Sequence, residues 1–339
     1  MGFVVIERLN GIMSTIFPIP LVSVIIPVYN NDLYINQALE SIFQQTYQDY
    51  EIIVVDDGST DNLKEVLQPY SQQIKYIYQN NQGSAVARNR GIFEAKGEYI
   101  AFLDADDFFL LPEKLAQQVT YFENEPCLGC LQTGWRLVNQ DGNYIFDLKP
   151  WQQAPKLDLQ TLLKWKPVCT SSIMIRKYWL KHIQGFDPEL RQSQDVDLMW
   201  HLALVGCQIE WWPKVTVCYR QHDCNTTKDS VRHAKYVQLM LDKFFTRSNL
   251  PEQIQSIESE VRYHTLVWIA YYQYYRGNYA TMAKYLQESF DYTPYLRAET
   301  ISNWVSEFAR YAAAQGVNFN ACFLSDLIEW QQLMLLKYY

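Results

Sequence analysis

The sequence lacks long apolar runs and clusters of basic residues. No stretch reaches the ~20 consecutive apolar residues that a helix needs to cross a bilayer, so any membrane contact is expected to be peripheral. The net charge is −8 and no Lys/Arg stripe occurs, so nucleic acid is not an expected partner. With 48% hydrophobic and 19% charged residues among 339, the composition excludes global disorder.

Cysteine is too scattered to form a disulfide framework. The seven cysteines are an odd number and are spread along the chain, which indicates a reducing compartment. Only Cys127 and Cys130 form a CxxC pair, and no second pair or suitably spaced histidines would complete a zinc site. We therefore expect ordinary buried cysteines. The N-terminus also lacks the features of a signal peptide, so the predicted location is cytoplasmic, at most peripheral at the inner face of the membrane.

Two common nucleotide-binding motifs are also missing. There is no GxxxxGK[ST], which excludes a P-loop, and no GxGxxG after the first predicted strand, which disfavours a dinucleotide fold. What the chain does contain is an alternation of buried strands and amphipathic helices, typical of a doubly wound, mostly parallel α/β sheet. Strands are predicted at 21–28, 51–55, 74–78 and 99–103, and the helices between them at 32–46, 61–70 and 84–95.

The pattern changes along the rest of the chain. A helix at 112–125, a hairpin within 128–150, a short helix at 158–164 and strands at 170–175 and 211–219 are predicted next. From about residue 228 the periodicity is helical, with candidate helices at 229–246, 251–275, 278–290, 297–315 and 320–336. We therefore expect a lead-in at 1–20, an α/β catalytic domain at 21–227 and an all-helical domain at 228–339.

Acidic residues follow two of the predicted strands. Asp56 and Asp57 end the second strand, and Asp104, Asp106 and Asp107 end the fourth. In open α/β sheets ligands bind at the carboxyl ends of strands, and crowded carboxylates are costly without a cation or a donor-rich ligand. If the segment stays extended, Asp104 and Asp106 present two oxygen ligands on one side, a spacing that suits Mg²⁺ or Mn²⁺ shared with phosphates. The alternative is a solvated turn before a helix.

A further acid, Asp195, begins a helix predicted at 193–206. The helical repeat places it in the middle of an apolar face that contains Leu198 and Leu202. Asp197 projects the other way, one turn from His201, where the two can pair. The alternative role for Asp195 is complementing the helix dipole, but that role does not require an inward face. Inward acids cluster at active sites, so a functional carboxylate is predicted.

Seven segments in order resemble the family 2 glycosyltransferases, which are nucleotide-sugar enzymes with a GT-A fold. The strongest are VSVIIPVYN at 22–30, VVDDGSTD at 54–61 and GEYIAFLDADD at 97–107, and the others lie at 41–46, 81–91, 185–187 and 194–197. The resemblance covers about the first 225 residues, and the C-terminal third has no comparable match.

The resemblance assigns roles to individual residues. It implies that Pro27, Tyr29 and Asp57 contact the base and ribose of the nucleotide, and that Asp104 lies near the ribose or the metal. Arg88 would assist near the diphosphate.

Metal binding and catalysis are assigned by the same resemblance. Asp106 would bind a Mn²⁺ or Mg²⁺ ion that bridges the diphosphate, and His222 is a second candidate ligand. Asp195 would be the catalytic base. Its family counterpart usually follows Glu, whereas Gln194 stands here, which changes the electrostatic setting of the base.

The predicted function is inverting, metal-dependent transfer of a sugar from a nucleotide-diphospho-sugar, expected to be UDP-linked. The acceptor would be a hydroxyl of a bacterial surface polysaccharide, a glycan or a glycolipid. Two alternatives remain: a polyprenyl phosphate as the acceptor, or a catalytically silent nucleotide-sugar binding or scaffold protein.

Overall fold

A nine-stranded sheet is the framework of the protein. The computed structural model describes residues 20–166, 168–223, 225, 228–314 and 316–335, so nearly all of the predicted lead-in lies outside the described residues. The strands are β1 (Val22–Val28), β2 (Tyr50–Asp56), β3 (Lys75–Tyr78), β4 (Tyr99–Phe102), β5 (Phe108–Phe109), β6 (Leu128–Val138), β7 (Tyr144–Leu148), β8 (Met174–Arg176) and β9 (Gln208–Arg220). Their order is β3-β2-β1-β4-β8-β6-β9-β5, with β7 paired to β6.

The half of the sheet formed by β1 to β4 is parallel, as predicted. Every residue of the central strand β1 is buried, because both faces of the sheet are covered. Ile25 packs into a hydrophobic core on one face, while its neighbours Val24 and Ile26 belong to a second core on the other. A continuous apolar run is therefore the sequence signature of this strand.

The other half of the sheet is mixed. β8 is antiparallel to both β4 and β6, β9 runs parallel to β6, and β5 and β7 add antiparallel pairings at the margins. The strand predicted at 170–175 is wrong at its start, because Thr170–Ser172 form a 3₁₀ turn and β8 begins only at Met174. Pro213 lies at a register shift between β6 and β9, as expected for a residue that has no N–H to donate to the neighbouring strand.

Seven helices belong to the α/β part of the described chain. They are α1 (Ile35–Phe43), α2 (Leu63–Leu67), α3 (Ser84–Glu94), α4 (Lys114–Asn124), α5 (Leu159–Trp165), α6 (Lys177–His182) and α7 (Gln194–Leu204). α7 carries the predicted base and is held between other helices. The Trp200 indole N–H donates to the Leu162 carbonyl of α5 over 3.0 Å, which fixes the rotation of α7 about its axis.

The C-terminal region is helical, as predicted. Its helices are α8 (Ser230–Phe245), α9 (Glu252–Gln255), α10 (Glu258–Tyr275), α11 (Tyr279–Ser289), α12 (Arg297–Ala314), α13 (Ala321–Asp326) and α14 (Ile328–Leu335). The predicted helices at 251–275 and 320–336 are each interrupted once. Phe244 of α8 packs on Trp200 of α7 with ring centroids 5.1 Å apart, and one hydrophobic core runs from the sheet through α7 into these helices.

The composition led to expectations about membrane-spanning segments and about the burial of the cysteines. Within the described part of the chain, no helix is both long enough and apolar enough to span a bilayer. Cys130 is buried as expected, but Cys127 is exposed, because it precedes β6 rather than lying within it.

Candidate active site

The carboxyl ends of β1, β2 and β4 meet at one edge of the sheet, where most of the predicted site residues lie. Pro27 is buried within β1, and Tyr29, directly after the strand, is 51% exposed. Asp57 follows β2 and is buried. Its carboxylate accepts hydrogen bonds from the backbone N–H groups of Gln82 and Gly83, over 2.8 and 2.7 Å. These bonds tie the loop before α3 to the end of β2.

Asp104 and Asp106 do not form the extended pair that alternation predicted. The chain turns at this point, with the Asp107 N–H donating to the Asp104 carbonyl over 3.0 Å. Each carboxylate has its own partner as a result. Asp104 binds the Arg88 guanidinium at 2.5 Å, whereas Asp106 lies 2.8 Å from Nε2 of His222.

Arg88 links the end of β4 to the start of α7. One guanidinium nitrogen contacts Asp104 and the other donates to Oε1 of Gln194 over 2.8 Å. Gln194 also exchanges hydrogen bonds with Ser84 on α3. The amide therefore takes the place of the usual Glu without adding a charge next to Asp195.

The side chain of Arg220 holds the loop that carries Asp106. Arg220 is buried at the end of β9, and its Nε donates to the Asp106 carbonyl over 2.8 Å. Its remaining nitrogens bind the Gln140 carbonyl and the Gln37 side chain. This cation fixes the Asp106 backbone and leaves the carboxylate free to face His222.

Asp107 has a structural role in the cluster. It is almost fully buried and accepts hydrogen bonds from the Ser171 hydroxyl, at 2.6 Å, and from the Arg220 N–H, at 3.0 Å. Burial, followed by repulsion from Asp106 and Asp104, raises its pKa well above the ordinary value. Ser171 also accepts from the Asp104 N–H, so the 3₁₀ turn at 170–172 supports the acidic turn.

Asp195 lies in a cleft of about 820 Å³ that it shares with Arg88, Asp104 and Gln194. Its carboxylate receives the neighbouring Val196 N–H at 3.0 Å and a long contact of 3.5 Å from the Thr170 hydroxyl. Burial raises the pKa of Asp195, and the nearby Arg88 opposes this rise. A lightly bonded carboxylate with a raised pKa is suited to accept a proton.

Asp197 is paired with His201, as predicted, with Oδ2 and Nδ1 3.1 Å apart. The helical repeat suggested a face opposite to the core, but Asp197 is only 1% exposed. The reason is that both flanks of α7 are covered, by α5 and by α8. This pair is part of the packing around α7.

The structure thus divides the predicted residues into three neighbouring groups. Arg88, Asp104 and Asp195 line one cleft, Asp106 and His222 form an adjacent pair, and Pro27, Tyr29 and Asp57 lie at the ends of β1 and β2. Sequence reasoning missed three residues that hold these groups in place: Ser84, Ser171 and Arg220. The only signal for Arg220 was its position at the end of a predicted strand.

The residues present suit a metal that shares its coordination with a ligand. Within the described ranges, no group of three or more His, Cys, Asp or Glu side chains is arranged to hold an ion by itself. Asp106 and His222 nevertheless place one carboxylate oxygen and one imidazole nitrogen together. Mg²⁺ and Mn²⁺ are commonly held by one or two protein ligands plus phosphate oxygens.

Solved structures place this fold among known ones. The first 349 residues of S. aureus TarS, crystallised with UDP-GlcNAc, are 19% identical and give a TM-score of 0.60, covering 88% of this chain and 93% of that one. The mannosyltransferase PcManGT of Pyrobaculum calidifontis, in complex with GDP-Man and Mn²⁺, is 18% identical with a TM-score of 0.60, covering 93% and 85%. The acidic strand ends and this architecture define a GT-A-type fold.

Sequence comparison then gives the family. The model of glycosyl transferase family 2 matches residues 23–184. An uncharacterized glycosyltransferase of Rickettsia typhi is 32% identical over 241 residues, covering 69% of this chain and 74% of the relative. The putative teichuronic acid biosynthesis glycosyltransferase TuaG of Bacillus subtilis is 36% identical over 182 residues, covering 52% and 69%. The chain belongs to glycosyl transferase family 2 and is a glycosyltransferase.

Proposed function

We propose that this protein is an inverting, metal-dependent glycosyltransferase that uses a nucleotide-diphospho-sugar, with UDP as the nucleotide. Its product would be a bacterial surface polysaccharide, glycan or glycolipid. In this proposal residues 21–227 form the catalytic domain and residues 228–339 a helical domain that helps to shape the acceptor side of the cleft. The names of the TarS complex and of TuaG agree with this choice of donor and product.

The nucleotide would bind at the ends of β1 and β2. Tyr29 offers an exposed aromatic ring for the base, and Pro27 fixes the backbone that leads to it. Asp57 already accepts two hydrogen bonds at Oδ1 and one at Oδ2, so Oδ2 retains acceptor capacity for a ribose hydroxyl or a base N–H. Arg88 and Asp104 would lie near the ribose and diphosphate.

Asp106 and His222 are the residues that would hold Mn²⁺ or Mg²⁺ together with the diphosphate oxygens. When bound, such an ion supplies positive charge that stabilises the departing diphosphate. Arg220 keeps the Asp106 backbone in place through the bond to its carbonyl. The His222 ring is supported on one side by Tyr34, with ring centroids 5.1 Å apart.

Asp195 would act as the general base. The acceptor oxygen attacks the anomeric carbon, its proton passes to the Asp195 carboxylate, and the bond from the anomeric carbon to the diphosphate oxygen breaks. A glycosidase needs a second carboxylic acid to protonate its leaving group, but a nucleotide diphosphate leaves as a stabilised anion. A single displacement of this kind inverts the anomeric configuration.

The observation that carries the proposal is the position of Asp195, in the same cleft as Arg88 and Asp104 and with a pKa raised by burial. The test is UDP release across a panel of nucleotide-sugars with Mn²⁺, with Mg²⁺ and with EDTA. Metal-dependent release of UDP from one donor supports the proposal and identifies the sugar. If no donor is hydrolysed and calorimetry also detects no metal-dependent UDP binding, the proposal is wrong.

A further inference from the structure

Lys166 adopts an unfavourable backbone conformation at the end of α5. It has φ 48° and ψ 44°, the left-handed region that helix C-termini normally reserve for glycine. A non-glycine residue there costs on the order of 1 kcal/mol, and such outliers cluster at functional sites. The conformation turns the chain so that Lys166 lines the same cleft as Asp195.

The ammonium group of Lys166 is also in an unfavourable environment, because its charge is largely removed from water. Its Nζ donates to the Leu163 carbonyl and to the Thr265 hydroxyl, each over 2.9 Å, and lies 5.8 Å from the centre of the Trp200 ring. No carboxylate within the described ranges pairs with it. Burial accordingly lowers its pKa to about 7. An ammonium has three N–H donors, so one remains for a ligand.

Two other cations that line the cleft already have acidic partners. Lys164 forms an ion pair with Glu260 at 2.7 Å, and Arg310 is paired with Glu307. Lys166 is therefore the partly buried lysine of this cleft whose charge has no counter-ion among the described residues. An anionic ligand beside Nζ would supply the missing counter-ion and stabilise the protonated form of the amine.

From this combination we propose that Lys166 binds the anionic group of a saccharide acceptor, a carboxylate or a phosphate, while the attacked hydroxyl lies at Asp195. The exposed indole of Trp165, which lines the same cleft, offers a surface for the sugar ring. The inference rests on the proposed function, because it identifies the acceptor side of that site.

The experiment measures binding of three matched probes by calorimetry, in the presence of UDP and Mn²⁺: methyl glucoside, methyl glucuronide and methyl glucoside 6-phosphate. The wild-type protein is expected to bind at least one anionic probe about tenfold or more tightly than the neutral one. The two anionic probes distinguish a carboxylate site from a phosphate site. Lys166→Met should remove the preference, whereas Lys164→Met combined with Glu260→Gln, which removes a neighbouring ion pair without changing the net charge, should keep it.

A second variant separates ligand binding from folding. Lys166→Gly relieves the left-handed strain, so its melting temperature should equal or exceed that of the wild type while the preference for an anion is lost. A markedly lower melting temperature for Lys166→Gly would indicate a structural lysine and overturn the proposal. So would equal, or undetectable, binding of all three probes to the wild type. UDP release from a donor, measured without any acceptor, reports on the proposed function independently.

Discussion

Replacing Asp195 by Asn tests the assignment of the base. The substitution keeps the size of the side chain and its ability to accept from the Val196 N–H, but an amide cannot take up the acceptor proton. A positioned general base contributes roughly 10²- to 10⁴-fold to the rate. We therefore expect kcat for transfer to fall by about that factor while donor affinity, measured as Kd for UDP with Mn²⁺, stays within about twofold.

The same substitution, Asp195→Asn, is expected to maintain or increase folding stability although it lowers kcat. Burial raises the pKa of Asp195, so the folded state disfavours its ionised form. This penalty develops as the pH rises from the ordinary aspartate pKa through the raised folded value, and it is fully present above both. Asp195→Asn removes the charge, so its Tm at neutral or higher pH should equal or exceed that of the wild type.

Asp197→Asn is the matched control on the same helix. Asp197 is buried and paired with His201, and it does not line the cleft. Its replacement should lower the free energy of unfolding by about 1–3 kcal/mol and leave the chemical step largely intact in the folded fraction. If Asp195→Asn retained wild-type turnover, or if both variants lost activity only in proportion to lost folding, Asp195 would not be the base.

Three further predictions follow from the site. In the wild-type protein, kcat/KM should rise as the pH increases through the raised pKa of Asp195. The pH–rate profile of Asp195→Asn should not show this rise. His222→Ala should weaken UDP binding in Mn²⁺ about tenfold by calorimetry, with the exposed His182→Ala unchanged, and equal affinities would remove His222 from the metal site. Gly58→Ala should cost about 1–3 kcal/mol in urea denaturation, because φ is +84° and a Cβ would meet the backbone nitrogen of Asn81 at 2.8 Å; Gly206→Ala, with the same φ of +84° but open space, should cost less.

Much of the fold was predictable because its signals are local. Continuous apolar strands identified the parallel half, and strand ends located the acids at Asp57 and Asp104. The mixed half was harder, since short strands such as β8 are specified by their neighbours in the sheet. Thr170–Ser172 directly precedes the apolar residues of β8 and so falls within the predicted strand, but hydrogen bonds between Ser171 and the residues Asp104 and Asp107 stabilise it as a turn.

The candidate site also combines residues that local sequence signals identify with contacts that only the tertiary structure specifies. The family resemblance named Asp106 and His222, and the structure brings them together. It did not show that Asp104 pairs with Arg88 instead, because that arrangement depends on the turn after β4. A helical repeat cannot show that α7 is covered on both flanks, so it misplaced Asp197. The left-handed backbone and the partly buried amine of Lys166 have no signal in the sequence, because they depend on tertiary contacts such as the hydrogen bond from Nζ to Thr265 on α10.

The anomeric configuration of the product is the most direct test of the proposed displacement mechanism. Once the donor panel has identified the sugar, the proton–proton and one-bond carbon–proton couplings at the anomeric centre of the transferred residue give its configuration by NMR. A single displacement assisted by Asp195 predicts a β-linked product from an α-linked nucleotide-sugar. An α-linked product would contradict the proposed mechanism and require a different role for Asp195.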